Sequence, residues 1–128
     1  MRAFGLMVAM IVIGAAAPAF AADMAPASTG NTDKGPALVD SKQMTLYTFA
    51  KDTPTQSNCN GACASAWPPL MAPTDASASG DWTVVTRADG AKQWAYKGHP
   101  LYSWVKDTKS GQATGDGMLN GAWHVAQP

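Results

Sequence analysis

Short runs of alternating apolar and polar residues occupy most of this chain, and the clearest of them occurs twice. Leu46-Tyr47-Thr48-Phe49-Ala50-Lys51-Asp52-Thr53 returns as Leu101-Tyr102-Ser103-Trp104-Val105-Lys106-Asp107-Thr108, 55 positions later (101 − 46). Five of the eight positions are identical, and Thr/Ser and Phe/Trp exchange with little change of character. A tryptophan follows each copy at nearly the same distance: Trp67 is 21 positions after Leu46, and Trp123 is 22 after Leu101. Self-similarity of this length marks an internal repeat.

Between these landmarks the pattern predicts short strands. Ala37-Leu38-Val39 and Met44 to Phe49 read as a hairpin joined by the four residues Asp40 to Gln43. Gly61 to Ala66 can form one or two helical turns, which Pro68-Pro69 stop. Trp82 to Val105 reads as a three-stranded meander with tight turns at Asp89-Gly90 and Lys97-Gly98. If both loops have two residues, Val85, Trp94 and Leu101 lie side by side on one face. Thr86, Gln93 and Tyr102 then line up on the other, and both faces carry large apolar groups that call for cover. Ala122 to Val125 forms a last strand. The expected fold is mainly β: two fused hairpin-based repeats, at about 36–70 and 91–128, in one small antiparallel β domain over 36–128. One short helix lies near the cysteines.

Composition adds an address. Arg2 is the only charge before Asp23, Phe4 to Ala17 is apolar or small, and Ala19-Phe20-Ala21 offers a cleavage pattern. Residues 1–21 are therefore expected to be a signal peptide cut after Ala21, which places the protein in the periplasm or outside the cell. The apolar run is too short, and too soon broken by Pro18, to remain as a span. Residues 22–35, rich in Ala, Pro, Ser, Thr and Asn, are expected to be a flexible linker. Without Arg2 the chain keeps eight basic residues (9 − 1) against nine aspartates and no glutamate. That balance argues against nucleic acid or an anionic membrane as partner, since each needs a basic patch.

The candidate chemistry is sparse. Cys59 and Cys63 are the only cysteines. Four positions apart on a helical turn, in an oxidising compartment, they are expected to form a disulfide. The alternative is a copper site built from Cys59, Cys63, His99 and His124 or nearby methionines. Neither a Cys-x-x-Cys redox spacing nor a Cys-x-x-Cys-His haem spacing is present. Tyr47, Phe49, Tyr96, Tyr102 and the five tryptophans read as core, with a stacking platform for sugars as the functional alternative. Asp52 and Asp107 end the two repeated strands, each followed by threonine, which is strand-end turn chemistry occurring twice. No Ser/His/Asp arrangement, phosphate-cradling glycine loop or calcium loop is present.

These residues resemble a bacterial family of secreted repeats, also described as predicted lipoproteins with a Y-x-(F/W/Y)-x-x-D motif. The motif stands here as Tyr47, Phe49 and Asp52, and again as Tyr102, Trp104 and Asp107. Cys59 to Trp67-Pro68-Pro69 and Gly98-His99-Pro100-Leu101-Tyr102 are similar to the family's flanking segments. The leader departs from the family in having no lipid-attachment cysteine. In the first copy, Lys42-Gln43 replaces Lys97-Gly98. The resemblance implies an exported protein of undefined activity. Together with the residues it leads to the expectation of a non-enzymatic module, without cofactor, that binds a small molecule or an envelope component. A copper or haem-iron handling protein and a glycan-binding module are the alternatives.

Overall fold

A computed structural model describes residues 25–128. The expected leader, its cleavage site and Met24 lie outside the described residues. Strand β1 (Ser28–Thr32) pairs antiparallel with β2 (Gly35–Val39), from Ser28 opposite Val39 to Thr32 opposite Gly35. This corrects the expected linker over 22–35 from Ser28 onward; residues 22–24 lie outside the described residues. Strand β1 shows no hydrophobic period because its side chains are exposed or half-exposed, so it joins the fold through its backbone. Its middle residue explains the close approach: a Cβ on Gly30 would lie 3.0 Å from both Val39 methyl carbons.

On its other side β2 is the wholly buried run Ala37-Leu38-Val39. The amide of Leu46 donates to the Leu38 carbonyl (3.0 Å) and that of Leu38 to Ala126 (2.9 Å). The predicted connection is present: the Asp40 and Met44 backbones close it at 2.9 Å, and Asp40 Oδ1 accepts the Lys42 and Met44 amides. The chain does not continue along β2, however. Strand β3 (Tyr47–Phe49) leaves it and pairs with the last strand, β7 (Trp123–Val125), with Phe49 opposite Trp123.

Helix α1 (Ala62–Ala66) is a single short segment ending at Trp67, before the proline pair. Cys59 and Cys63 are joined there as a disulfide, with their Cα atoms 5.2 Å apart. Strands β4 (Trp82–Thr86), β5 (Lys92–Tyr96) and β6 (His99–Pro100) form the predicted meander. Its second register is as expected, with Ala95 opposite Pro100. The first is shifted by one residue: Val84, not Val85, faces Trp94, and Val85 faces Gln93. The reason is the loop. Arg87 and Ala91 pair at 2.8 Å across three residues, Ala88-Asp89-Gly90, and Gly90 takes the left-handed conformation (φ 90°) that closes a three-residue hairpin. A one-residue slip exchanges the faces of a whole strand, so Val85, Gln93 and Ala95 are buried while Trp82, Val84 and Trp94 are half-exposed.

A turn α2 (Met118–Gly121), with Leu119 and Asn120 left-handed, leads into β7. The core gathers in two places. The larger cluster holds Tyr47, Phe49, Trp67, Tyr102, Trp104 and Trp123; the smaller holds Leu38, Leu46, Leu101 and Ala126. The architecture is mainly β, small antiparallel sheets with two short helical segments. Among the described residues no helix is long and apolar enough to cross a membrane.

Candidate functional site

The repeated motifs meet at their tyrosines. Tyr47 N–H donates to the Tyr102 carbonyl (2.8 Å) and Tyr102 N–H to the Tyr47 carbonyl (3.0 Å), so the two copies cross antiparallel at this pair. Both side chains are fully buried. From the crossing, each phenol passes to the other copy. Tyr47 Oη donates to Asp107 Oδ2 at 2.5 Å, and Tyr102 Oη donates to Asp52 Oδ2 at 2.6 Å. The second oxygen of each carboxylate ties down a following loop: Asp52 Oδ1 accepts the Asn58 amide, and Asp107 Oδ1 accepts the Thr114 amide and hydroxyl. Each phenol oxygen accepts one further bond, from the Gly115 amide in one copy and the Ser57 hydroxyl in the other.

Burial pushes both phenols above the ordinary tyrosine value, and the facing carboxylates push them further. Burial also raises the Asp52 carboxyl, against the opposing pull of Tyr102, the Asn58 amide and Arg87. No open volume adjoins these groups among the described cavities. The expected motif residues thus come together, and they bind one another.

The rings repeat the exchange. Phe49 stacks on Trp123 (4.2 Å between centroids), Trp123 on Trp67 (3.8 Å, 2° between planes), and Trp67 on Trp104 (4.0 Å). Tyr47 meets Trp67 edge-on, and Tyr102 meets Trp123 likewise. A Cβ on Gly115 would sit 2.6 Å from the Trp67 ring, so only glycine lets the loop after Asp107 lie against the stack. The buried Nε1 of Trp123 has no hydrogen-bond partner within the stack. Three of the tryptophans considered for sugar stacking, Trp67, Trp104 and Trp123, are thereby buried, while Trp82 is half-buried beside Tyr96.

Arg87, the only arginine besides Arg2, was not singled out in sequence, although that rarity was a usable signal. Buried, it donates to Ser57 Oγ, Gln93 Oε1, the Cys59 carbonyl and Asn60 Oδ1. It thereby fastens the disulfide loop to the meander.

Chemistry that faces solvent is concentrated elsewhere. A cleft of about 750 Å³ opens between the β1–β2 turn, the β5–β6 turn and β7. Its rim carries Lys34, Lys97, His99, Asp116 and His124, with Tyr96 beside them, over a floor that includes Leu101, Val125 and Ala126. Asp116 Oδ1 accepts the Val125 amide (3.0 Å) and lies 3.4 Å from His124 Nδ1. His99 and His124, which sequence spacing left unrelated, line this one cleft; Cys59 and Cys63 are bonded to each other instead. Among the described residues no three His, Cys, Asp or Glu side chains gather as metal ligands. Lys34, Lys97 and Asp116 carried no sequence signal, because they come from separate turns.

A family model described as a secreted repeat of unknown function matches the chain twice, over residues 28–71 and 83–127. The matched spans open at β1 and just inside β4, earlier than the copies expected at 36 and 91. No curated protein and no solved structure matches the chain.

Proposed function

The chain belongs to the family of secreted repeats of unknown function, and from that membership we propose that it is an exported, non-enzymatic binding module of the periplasm or cell exterior, taking a small molecule or envelope component in the cleft. The observation that carries this reading is a division of labour. The repeated polar residues, Tyr47, Asp52, Tyr102 and Asp107, are engaged with one another in the core, while the cleft presents the exposed side chains of Lys34, Lys97 and His99 over an apolar floor. A pocket of a few hundred to about 1,000 Å³ with convergent polar groups is the usual form of a small-molecule site.

The copper alternative is weakened because the two sulfurs are bonded together. The glycan alternative retains the half-exposed face of Trp82, Trp94 and Tyr96.

The test is a fragment screen followed by backbone-amide NMR on the exported protein. Hits that move the amides of Lys97, His99 and His124, with every fragment recovered unchanged, are expected. Hits confined to other surfaces, or a fragment chemically converted at a rate that falls in Asp52→Asn or Asp107→Asn, would reject the reading.

A further inference from the structure

The rim of the cleft is rich in hydrogen-bond donors. It collects Lys34, Lys97 and both histidines of the sequence, His99 and His124. Apart from the terminal carboxylate of Pro128, its only acidic group is Asp116. That carboxylate is already answered, by the Val125 amide and by His124. The contact between His124 and Asp116 is the one approach of a basic to an acidic side chain within 4.0 Å among the described residues, so Lys34, Lys97 and His99 have no carboxylate that close. Lys97 Nζ lies over the Tyr96 ring, 5.2 Å from its centroid, while Lys34 and His99 are exposed to solvent beside it.

Two features of the backbone place them there. Lys97 lies in the left-handed region (φ 50°) as the first residue of the Lys97-Gly98 turn, an uncommon conformation for a residue with a Cβ. Leu119 and Asn120, both at φ 56°, bend the chain between Asp116 and His124. Positive φ at both Lys97 and Gly98 is the usual geometry of a two-residue hairpin turn, which sets Lys97 at the mouth of the cleft.

Resting on the binding reading above, we infer that the cleft takes a small organic anion, a carboxylate or phosphate head on a compact apolar body. Lys34, Lys97 and His99 donate to the head. The wall of Tyr96 and the floor of Leu101, Val125 and Ala126 cover the body. Asp116 acts as a positioning residue, holding the His124 ring from its Nδ1 side. The pairing is electrostatic and partly exposed, so it weakens with added salt.

The experiment titrates four probes of one size and different charge into the ¹⁵N-labelled exported protein: benzoate, phenyl phosphate, benzyl alcohol and benzylamine. Benzoate and phenyl phosphate are expected to move the Lys97, His99 and His124 amides saturably, the other two to leave them in place. Lys34→Gln and Lys97→Gln lie on exposed turns, and an unchanged spectrum elsewhere verifies their fold. Each should weaken benzoate by roughly two- to fivefold, the range of an exposed ion pair. Benzylamine or benzyl alcohol binding as tightly as benzoate would overturn the anion class and leave the binding reading standing. If no probe moves the cleft amides, both fall together.

Discussion

A tyrosine and an aspartate five positions apart in one motif invite the assumption that they serve each other, yet here each serves the other copy. The phenol-to-carboxylate bond is charge-assisted and therefore stronger than a neutral one. Removing one partner leaves a buried acceptor exposed to the desolvation cost, about 1–3 kcal/mol or more for a charged group. A double-mutant cycle distinguishes the two pairings. Tyr47→Phe combined with Asp107→Asn should show a coupling energy of about 0.5–3 kcal/mol, while Tyr47→Phe with Asp52→Asn should be additive to within about 0.5 kcal/mol. Urea unfolding of the three single variants and two double variants measures it, and the reverse result would place the bonds within each copy.

The same phenols set an alkaline limit. In the unfolded chain a tyrosine ionises near pH 10; in the folded protein Tyr47 and Tyr102 hold their protons well above that value. Above about pH 10 the unfolded state therefore binds fewer protons than the folded one, and stability falls as pH rises. Below that pH their contribution is complete. Denaturation midpoints followed from pH 8 to 11 should decline more steeply in the wild type than in Tyr47→Phe or Tyr102→Phe. Equal slopes would mean that the phenols ionise freely while the protein is folded.

At the level of elements, what could be read from sequence was whatever a side chain makes visible locally. The strand at Tyr47–Phe49 and the final strand at Trp123–Val125 show as apolar alternation, and the helix as an alanine-rich run stopped by prolines. The two aspartates were legible as turn residues because accepting a following amide is a local act, seen at Asn58 and Thr114. Strand β1 was not legible, since it contributes backbone and a glycine where a hydrophobic pattern was sought. The meander was found with one register wrong. Asp89-Gly90 signals a two-residue turn, whereas Gly90 occupies the left-handed third position of a longer loop. The crossed tyrosines and the cleft could not be read at all, because which turn meets which is decided by pairing between the copies.

Across the whole molecule, the two copies behave as the halves of an internal dimer. Residue i of one half contacts j of the other and j contacts i, the signature of an isologous interface. Tyr47 with Asp107 answers Tyr102 with Asp52, and Phe49 on Trp123 answers Trp104 on Trp67. Even the sheet joins the halves, since β3 of the first pairs with β7 of the second. Neither half therefore holds a complete core: the first supplies only Phe49 and Trp67 to a stack that needs Trp104 and Trp123 as well. The link between them offers a clean cut, because Ser77 and Ala78 are exposed and take no part in the stack. Chains divided there should each lack near-ultraviolet tryptophan ellipticity alone and recover it when mixed in equal amounts. The recovered complex should also gain stability as both concentrations rise, since association replaces an intramolecular step whose effective concentration a short flexible link sets in the millimolar range. Ellipticity in either half by itself would show that one repeat folds unaided, and the crossed contacts would then be an addition to two finished units rather than the reason that either exists.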